Sequence, residues 1–371
     1  MLYAGVDVGT SGLKAAVVDD HGEVVHEAAA GYETAAPHPG WCEIDPERWL
    51  LAYERIRTDD SWPADPAAVA FTGQMHGVVV TDEAAVPLYP AILWPDRRAA
   101  PIVDRWVTEH ATVIDRLDTP ASPGYAGPIL GWLGEHRPDV LARARHVWFA
   151  KDWLRARATG VAAAVSDRSD ACASLLWDPV ADDWLDDAVR LAGLSRELLP
   201  EVRAATEVVG QWGSTSVAVG GADTATALAA YRSLAAPTAP DTVYVNVGTG
   251  VQVLRAFDRR PARSVVSERV FADVSGGWYA MHALRRTEVS PDALLDSIVG
   301  AVATLGGGDV VVGGGVAHDA AFRAALASRL GRPIRYASPR SLSACGAALL
   351  AATSLGHRIG LRQETVEVPS N

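Results

Sequence analysis

The sequence predicts an α/β protein of two domains, with mixed sheets and a cleft between the domains. The motif DVGTSG at 7–12 recurs in reduced form as NVGTG at 246–250. Each copy lies between two short apolar runs, which is the pattern of a β-hairpin whose Gly-Thr turn offers backbone N–H groups to an anion. A chain of 371 residues is also long for one hydrophobic core. We therefore expect a duplicated domain that holds phosphates between its halves.

Short strands and longer helices alternate in the first half of the chain. Apolar runs bounded by turn residues predict strands at 2–6, 13–18, 67–72 and 78–81. Helical spacing of apolar residues predicts helices at 101–110, 129–135, 152–159 and 184–192. The stretch 206–216 is short, polar and glycine-containing, so we expect the domain boundary there, between domains at 1–213 and 214–371.

The second half repeats this alternation. Strands are expected at 217–219, 242–245, 251–254, 278–283, 309–312 and 334–336. Helices are expected at 223–232, 291–305, 319–330 and 343–353. The residues from about 363 onwards are expected to fray, as chain ends commonly do.

Composition and charge exclude several classes of protein. The formal net charge of −12 disfavours a nucleic-acid partner, because phosphate backbones favour basic surfaces. We expect no membrane partner, since no run approaches 18 apolar residues, and no signal peptide, since Met1 leads straight into a strand. The three cysteines lie far apart without metal-ligand spacing. They are interpreted as reduced thiols of a cytoplasmic protein.

Several motifs together resemble one family, the FGGY carbohydrate kinases, and within it the xylulokinases. In chain order they are DVGTSGLK, HPGWCEIDPERW, GQMHG, AILWPDRR, AKDWLRARATG, GGADTA, VGTG and GGGVAHDAAF. The resemblance implies two actin-like, ribonuclease-H-like domains with sugar and nucleotide in the cleft between them. It also implies ATP and Mg²⁺ as cofactors, sugar binding by 1–213 and nucleotide binding by 214–371.

Asp223 follows two glycines and opens a predicted helix. On spacing alone, an aspartate at this position is more often an N-cap than a catalytic group. The resemblance reverses this weighting, because Asp223 matches the family's catalytic base, which accepts the proton of the attacking sugar hydroxyl. The family usually has Asn after this aspartate, whereas this chain has Thr224.

The phosphate and metal sites are expected at the two Gly-Thr turns. Asp7 ends a strand directly before the first turn, where a carboxylate can hold Mg²⁺. An aspartate that merely accepts hydrogen bonds from its own turn is the alternative. The Gly triplet after strand 309–312 offers a flat surface to a nucleotide base or ribose. The expected nucleotide-binding residues are Gly9, Thr10, Ser11, Gly12, Gly248, Thr249, Gly250, Gly313, Gly314 and Gly315.

The sugar site is expected in two loops of the first domain. In the xylulokinase-like pattern, Met75 and His76 face the sugar, and histidine can donate and accept hydrogen bonds to hydroxyl groups. Without the resemblance, the same pair would be a core methionine and a turn histidine. The loop at 94–98 supplies an aromatic face and polar groups, although Pro95 stands where the family commonly has Asn. The expected sugar-binding residues are Gln74, Met75, His76, Trp94 and Asp96.

The stretch between Gly250 and Gly313 is much shorter than is usual in the family. Three hypotheses follow. The first is an ATP-dependent kinase that phosphorylates a hydroxyl of a ketose such as D-xylulose. The second is a catalytically weak or silent sugar-binding sensor, and the third is an actin-like ATPase, which has no use for GQMHG. The small-molecule sugar is the expected partner, and a homodimer is left open.

Overall fold

The structure is a computed structural model that describes residues 1–63, 65–234, 239–248, 250–262, 269–285, 290–362 and 365–368. Two large mixed sheets with helices on their faces form the molecule. In chain order the strands are β1 (Leu2–Val8), β2 (Gly12–Asp19), β3 (Val24–Gly31), β4 (Glu43–Ile44), β5 (Ala68–Gly73), β6 (Val79–Thr81), β7 (Ala91–Ile92), β8 (His146–Trp148), β9 (Val165–Asp167), β10 (Trp177–Asp178), β11 (Asp183–Trp184), β12 (Glu201–Arg203), β13 (Val208–Trp212), β14 (Thr215–Ala222), β15 (Val243–Val247), β16 (Gly250–Phe257), β17 (Arg269–Ala272), β18 (Trp278–Arg285), β19 (Val310–Gly313), β20 (Ile334–Ala337) and β21 (Thr365–Val368).

The helices cover both faces of the sheets. In chain order they are α1 (Glu47–Arg57), α2 (Ala100–Glu109), α3 (Ala111–Leu117), α4 (Ala126–His136), α5 (Pro138–Arg143), α6 (Ala150–Thr159), α7 (Arg168–Cys172), α8 (Asp186–Leu191), α9 (Asp223–Ser233), α10 (Pro291–Thr304), α11 (Ala320–Leu330) and α12 (Leu342–Ser354). The sequence analysis placed no helix at α1, although its buried residues at 49, 52, 53 and 56 have helical spacing.

The two large sheets share one topology. The first has the strand order β13-β14-β5-β1-β2-β3, and the second has the order β17-β18-β16-β15-β19-β20-β21. β1 pairs antiparallel with β2 and parallel with β5, as β15 pairs with β16 and β19. The outer strands continue this correspondence, with β17 as an additional edge strand in the second sheet. The predicted duplication, the mixed sheets and both Gly-Thr hairpins are therefore confirmed.

The central strands of the first sheet are buried on both faces, which explains their continuous apolar sequence. Alternate residues of β1 and β5 belong to two separate hydrophobic clusters. One cluster includes Tyr3 and Ala70 together with residues of α9 and α12. The other includes Val6 and Phe71 together with residues of α1 and α6. Helices therefore hold this sheet from both sides and fix the positions of its strand ends.

Helix α12 follows the second sheet in the chain but packs against the first. A Cβ atom at Gly5 of β1 would lie 1.9 Å from the carbonyl oxygen of Ala344, so only glycine permits this approach. A Cβ atom at Gly346 would lie equally close, at 1.9 Å, to the carbonyl oxygen of Thr226 in α9. The two halves of the chain therefore share one packed core at this helix.

The chain around the predicted domain boundary, and the end of the chain, differ from what the sequence predicts. The predicted change of domain at residue 214 falls directly before β14, which is the second strand of the first sheet. Its partner β13 lies within the stretch 206–216, where a polar edge strand gives little apolar periodicity. The expectation of fraying after 363 is wrong for Thr365–Val368, which pair with β20 as β21. The domain limits 1–213 and 214–371 stay a prediction.

The three cysteines are free thiols. Cys172 and Cys345 are buried, and burial raises the pKa of the Cys172 thiol to about 11. Among the described helices, none is long and apolar enough to cross a bilayer.

Candidate active site

A cavity of about 420 Å³ lies between the two sheets and is lined by residues of both halves. Most of the predicted site residues line it, namely Asp7, Gly9, Thr10, Gln74, Met75, His76, Trp94, Asp96, Asp223, Gly248, Gly250, Gly314 and Gly315. Ser11, Gly12 and Gly313 do not. A Cβ atom at Gly313 would lie 2.5 Å from both Leu342 and Tyr231, so this glycine serves close packing. Thr249 lies outside the described residues.

A β-bulge directs Asp223 into the cavity. The pairing of β14 with β5 shifts register between Ala218 and Gly221, and Gly220 has a φ of +83°. A Cβ atom at Gly220 would lie 1.8 Å from the carbonyl oxygen of Phe71, so the bulge requires glycine. Helix α9 begins immediately afterwards, with Ala222 as its N-cap. The N-cap alternative for Asp223 is therefore wrong, and Asp223 is the first residue of the helix.

The carboxylate of Asp223 is held by the next residue. Its Oδ1 accepts hydrogen bonds from the backbone N–H of Thr224 at 2.7 Å and from the Thr224 hydroxyl at 3.2 Å. Burial raises the pKa of Asp223 to about 6, although both Thr224 bonds and the charge of Lys14 lower it. At neutral pH this group is therefore an ionised carboxylate that can accept a proton.

Asp7 lies close enough to Asp223 for the two charges to interact. Burial and, to a smaller extent, the charge of Asp223 raise the pKa of Asp7 to about 7, although the charge of Lys14 lowers it. Lys14 is the strand partner of Asp7 in the first hairpin. The Oδ1 atom of Asp7 is buried and has no hydrogen-bond partner among the described residues. A buried carboxylate oxygen without a partner favours a cation as its ligand, and a bound cation would in turn favour the ionised form.

The residues present fit a Mg²⁺ ion that shares its coordination with phosphates. Mg²⁺ prefers oxygen ligands and is commonly held by one or two carboxylates together with substrate phosphates. Asp7 offers the unpartnered Oδ1, and Asp223 lines the same cavity. The described part of the chain contains no group of three or more His, Cys, Asp or Glu side chains arranged as metal ligands. A bound Mg²⁺ would therefore depend on the nucleotide to complete its coordination.

The two turns are partly closed by their own hydrogen bonds. The N–H of Gly9 donates to the carbonyl oxygen of Gly12 at 3.1 Å, and that of Gly248 donates to Gly250 at 2.8 Å. The expectation that the turn N–H groups are available to an anion is therefore wrong for Gly9 and Gly248. The carbonyl oxygen of Gly9 is also occupied, by the Tyr32 hydroxyl at 2.5 Å and Nε2 of Gln74 at 3.2 Å.

Thr10 connects the first turn to the predicted sugar loops. Its hydroxyl accepts a hydrogen bond from Nε1 of Trp94 at 2.9 Å and donates to Oε1 of Gln74 at 3.3 Å. Residues predicted for the nucleotide and for the sugar are therefore in direct contact. The residues predicted for the two ligands therefore adjoin beside the first turn.

His76 is a neutral imidazole in a strained backbone position. Its φ is +77°, and its ring stacks on Tyr125 with centroids 4.0 Å apart. Burial lowers the pKa of His76 to about 4. Because Nδ1 lies 2.6 Å from the carbonyl oxygen of Ala173, it carries the proton and leaves Nε2 as an acceptor. The sulfur of Met75 accepts a bond from the hydroxyl of Tyr279, in the second sheet, at 3.6 Å.

Asp96 lines the cavity, but its carboxylate is used within the protein. Its Oδ2 accepts from the N–H of Cys42 at 2.6 Å and from the Arg98 guanidinium at 2.8 Å. Arg98 in turn lies over the Trp41 ring at 3.5 Å and binds Glu43 at 2.7 Å. The geometry assigns Asp96 to holding the 94–98 loop together, and a direct contact with sugar stays a prediction.

A buried charge cluster, which was not predicted from the sequence, anchors the residue before Asp223. Lys151 lies within 3.3 Å of Asp152, Asp167 and Asp170. Asp167 accepts a hydrogen bond from the hydroxyl of Ser169. The same hydroxyl oxygen accepts a hydrogen bond from the backbone N–H of Ala222 at 2.9 Å. Burial would lower the pKa of Lys151, but the three carboxylates outweigh it and raise this pKa. The AKDW motif was the sequence signal for this cluster.

The sequence analysis also overlooked cavity residues that lie outside the quoted motifs. They include Tyr125, Asn246, Arg269 and Arg340. Arg269 lies close enough to Tyr125 for its charge to lower the pKa of the phenol, and the Tyr125 ring stacks on His76. These residues come from separate loops and strands, so no local spacing connects them.

Comparison with known proteins identifies relatives among the carbohydrate kinases. The family model described as the FGGY family of carbohydrate kinases, N-terminal domain, matches residues 2–231. The chain is 34% identical to the xylulose kinase of Escherichia coli (strain K12) over 240 residues, which are 60% of this chain and 49% of that protein. It is 32% identical to the xylulose kinase of Streptomyces rubiginosus over 291 residues, 75% of this chain and 59% of that one. The chain therefore spans about half the length of such relatives.

A solved structure extends the similarity of fold to the whole chain. Ligand-bound xylulose kinase from Lactobacillus acidophilus superposes with a TM-score of 0.85 at 16% identity. The superposition covers 100% of this chain and 94% of that one, whereas the sequence matches cover smaller parts of both chains. At 16% sequence identity, the similarity between the two structures establishes the fold alone. The predicted pair of actin-like, ribonuclease-H-like domains is confirmed.

Proposed function

Because the chain belongs to the FGGY family of carbohydrate kinases, we propose that it transfers the γ-phosphoryl group of ATP to a hydroxyl of a small sugar. The names of its relatives favour a ketose, with D-xylulose as the first candidate acceptor. We propose sugar binding mainly by 1–213 and nucleotide binding mainly by 214–371.

The pair of buried carboxylates in one cleft carries this proposal. Asp223 takes the proton of the sugar hydroxyl while the hydroxyl oxygen forms its bond to the γ-phosphorus. The bond from the γ-phosphorus to the bridging oxygen breaks, and ADP leaves with the electron pair. Mg²⁺, when bound at Asp7, neutralises charge on the phosphates. Lys14 adds a positive charge near both carboxylates.

The nucleotide half of the cleft has the features that such a reaction needs. Gly314 and Gly315 line the cavity beside Asn246 without bulky side chains. A Cβ atom at Gly314 would lie 2.7 Å from Oδ1 of Asn246, so a glycine keeps this surface flat. We propose that the base or ribose of ATP lies here, with its phosphates directed towards the two Gly-Thr turns.

The test measures ADP release with MgATP across a panel of ketoses and polyols. Asp223→Asn is expected to lower kcat by roughly a hundredfold or more, the usual contribution of a general base, while sugar binding persists. Asp104→Asn, on the exposed face of α2, is the matched control and should leave kcat unchanged. Near-normal turnover in a folded Asp223→Asn variant would show that another group is the base. Sugar binding without turnover in the wild-type protein would favour the silent sensor.

A further inference from the structure

An arginine of the second sheet reaches the sugar side of the cleft. Arg269 begins β17, the edge strand, and lines the cavity. It lies close enough to Tyr125 and to the stacked imidazole of His76 for its charge to lower the pKa of both groups. Its Nε is buried and has no hydrogen-bond partner among the described residues. Within the described chain, no carboxylate forms an ion pair with it.

A second arginine approaches the same region from the first domain. Arg97 belongs to the 94–98 loop, is exposed, and lines the cavity. Its neighbour Asp96 is already paired with Arg98, so that carboxylate does not neutralise Arg97. The loop packs directly against Gly124, the residue before Tyr125. A Cβ atom at Gly124 would lie 1.9 Å from the carbonyl oxygen of Trp94. Arg97 and Arg269 therefore border one continuous wall of the cavity.

This wall lies far from the position proposed for the base or ribose of the nucleotide. β17 is separated from β19, which ends in the Gly triplet, by β18, β16 and β15. Four strand spacings correspond to roughly 19 Å across the sheet. The base or ribose proposed at the Gly triplet therefore lies too far away to be a partner of Arg269. Lys14, beside Asp7 and Asp223, is the cation near the reacting phosphate.

The positive charge stands out in a chain whose formal net charge is −12. A neutral sugar needs hydrogen-bond donors and acceptors and no charged partner, and Nε2 of His76 is an acceptor of this kind. A guanidinium that pairs with no carboxylate among the described residues is matched best by a planar anion, which it can bind through two parallel hydrogen bonds.

We propose that the acceptor is a sugar acid, whose carboxylate lies at the end remote from the phosphorylated hydroxyl and is bound by Arg97 and Arg269. This proposal rests on the kinase function proposed above and narrows its substrate class. The phosphorylated hydroxyl lies at Asp223, and the carboxylate enters first, drawn by the two arginines.

The experiment compares matched acceptors that differ in one carboxylate. ADP release is measured with xylonate and xylitol, with gluconate and glucitol, and with D-xylulose. Binding of each compound without nucleotide is measured by calorimetry. The acids are expected to have kcat/KM values at least tenfold above those of their polyols. Arg269→Gln and Arg97→Gln should each reduce this preference by about tenfold to a hundredfold, mainly through KM. Arg269→Lys should retain part of the preference, because it keeps the charge.

Arg143→Gln, an exposed arginine of α5 that does not line the cavity, is the matched control and should leave the preference unchanged. Equal or better use of xylitol, glucitol or D-xylulose would overturn the sugar-acid proposal and leave the kinase standing. An equal loss for acid and polyol in the Arg269→Gln variant would also overturn it. If no compound is phosphorylated, the kinase proposal fails, and the carboxylate site is then tested by calorimetry alone. Tighter binding of the acids than of their polyols supports that site, and equal binding refutes it.

Discussion

At the scale of single residues, the ionisation of Asp223 should set the acid side of the pH profile. Because burial raises its pKa to about 6, a base at this position loses its function as the pH falls below 6. We therefore expect kcat/KM to rise between pH 5 and pH 7 with a midpoint near 6. Measurement of kcat/KM at constant ionic strength over this range checks the expectation.

Thr224 should move this midpoint. Its hydroxyl and its N–H both bind Oδ1 of Asp223 and favour the ionised form. Thr224→Val removes the hydroxyl while keeping the shape, so the acid midpoint should rise by roughly half a unit or more. Thr224→Ser keeps the hydroxyl and is the control. Identical midpoints in the two variants would contradict a role of the hydroxyl in tuning the base.

The ionised form of Asp7 should lower the free energy of unfolding, although the proposed function uses this carboxylate. Its pKa rises from the ordinary 3.8 to about 7 in the folded state. A group with a raised folded pKa stabilises the fold below its unfolded pKa and loses that contribution as the pH rises through 7. Asp7→Asn should therefore raise the free energy of unfolding by roughly 1–3 kcal/mol at pH 8 and give no gain at pH 4. Urea denaturation at both pH values tests this, and an equal gain at both would refute it.

At the scale of secondary-structure elements, the contact between α12 and α9 depends on one glycine. Gly346→Ala would bring a methyl group to 1.9 Å from the Thr226 carbonyl oxygen, so the helices must separate. We expect a loss of about 2 kcal/mol or more in the free energy of unfolding. Gly300→Ala in α10 is the matched control, because no atom lies within 4 Å of its added methyl group. That variant should gain roughly 0.5–1 kcal/mol from helix propensity. Similar effects of both substitutions would show that the close contact is unimportant.

The elements also show which parts of the fold the sequence could predict. The two Gly-Thr hairpins were predictable because turn chemistry and flanking apolar runs are local. Strands β13 and β21 were not, because an edge strand is defined by the neighbour that it pairs with. The same difference applies to the site. Asp7 and Asp223 stand in local motifs, whereas Arg269 and Tyr125 meet only after the two halves pack together.

At the scale of the whole molecule, the binding of sugar and nucleotide should be coupled. The cavity is lined by both halves, and Thr10 contacts the predicted sugar residues Trp94 and Gln74. A ligand that draws the halves together prepares the site for the other ligand. We expect a saturating acceptor sugar to lower the Kd of MgATP by about fivefold or more, as measured by calorimetry with the Asp223→Asn variant to prevent turnover. An unchanged Kd would show that the halves respond to their ligands independently.

The position of α12 also has a consequence for the order in which the chain is made. Strands β1 and β2, against which α12 packs, leave the ribosome early, whereas residues 342–354 are translated more than three hundred residues later. At about 5–20 residues per second, this interval lasts roughly 20 seconds to more than a minute. During synthesis, an apolar surface around Gly5 is therefore complete before its cover exists. Yield in the cell should depend on the chaperones that meet the nascent chain during that interval.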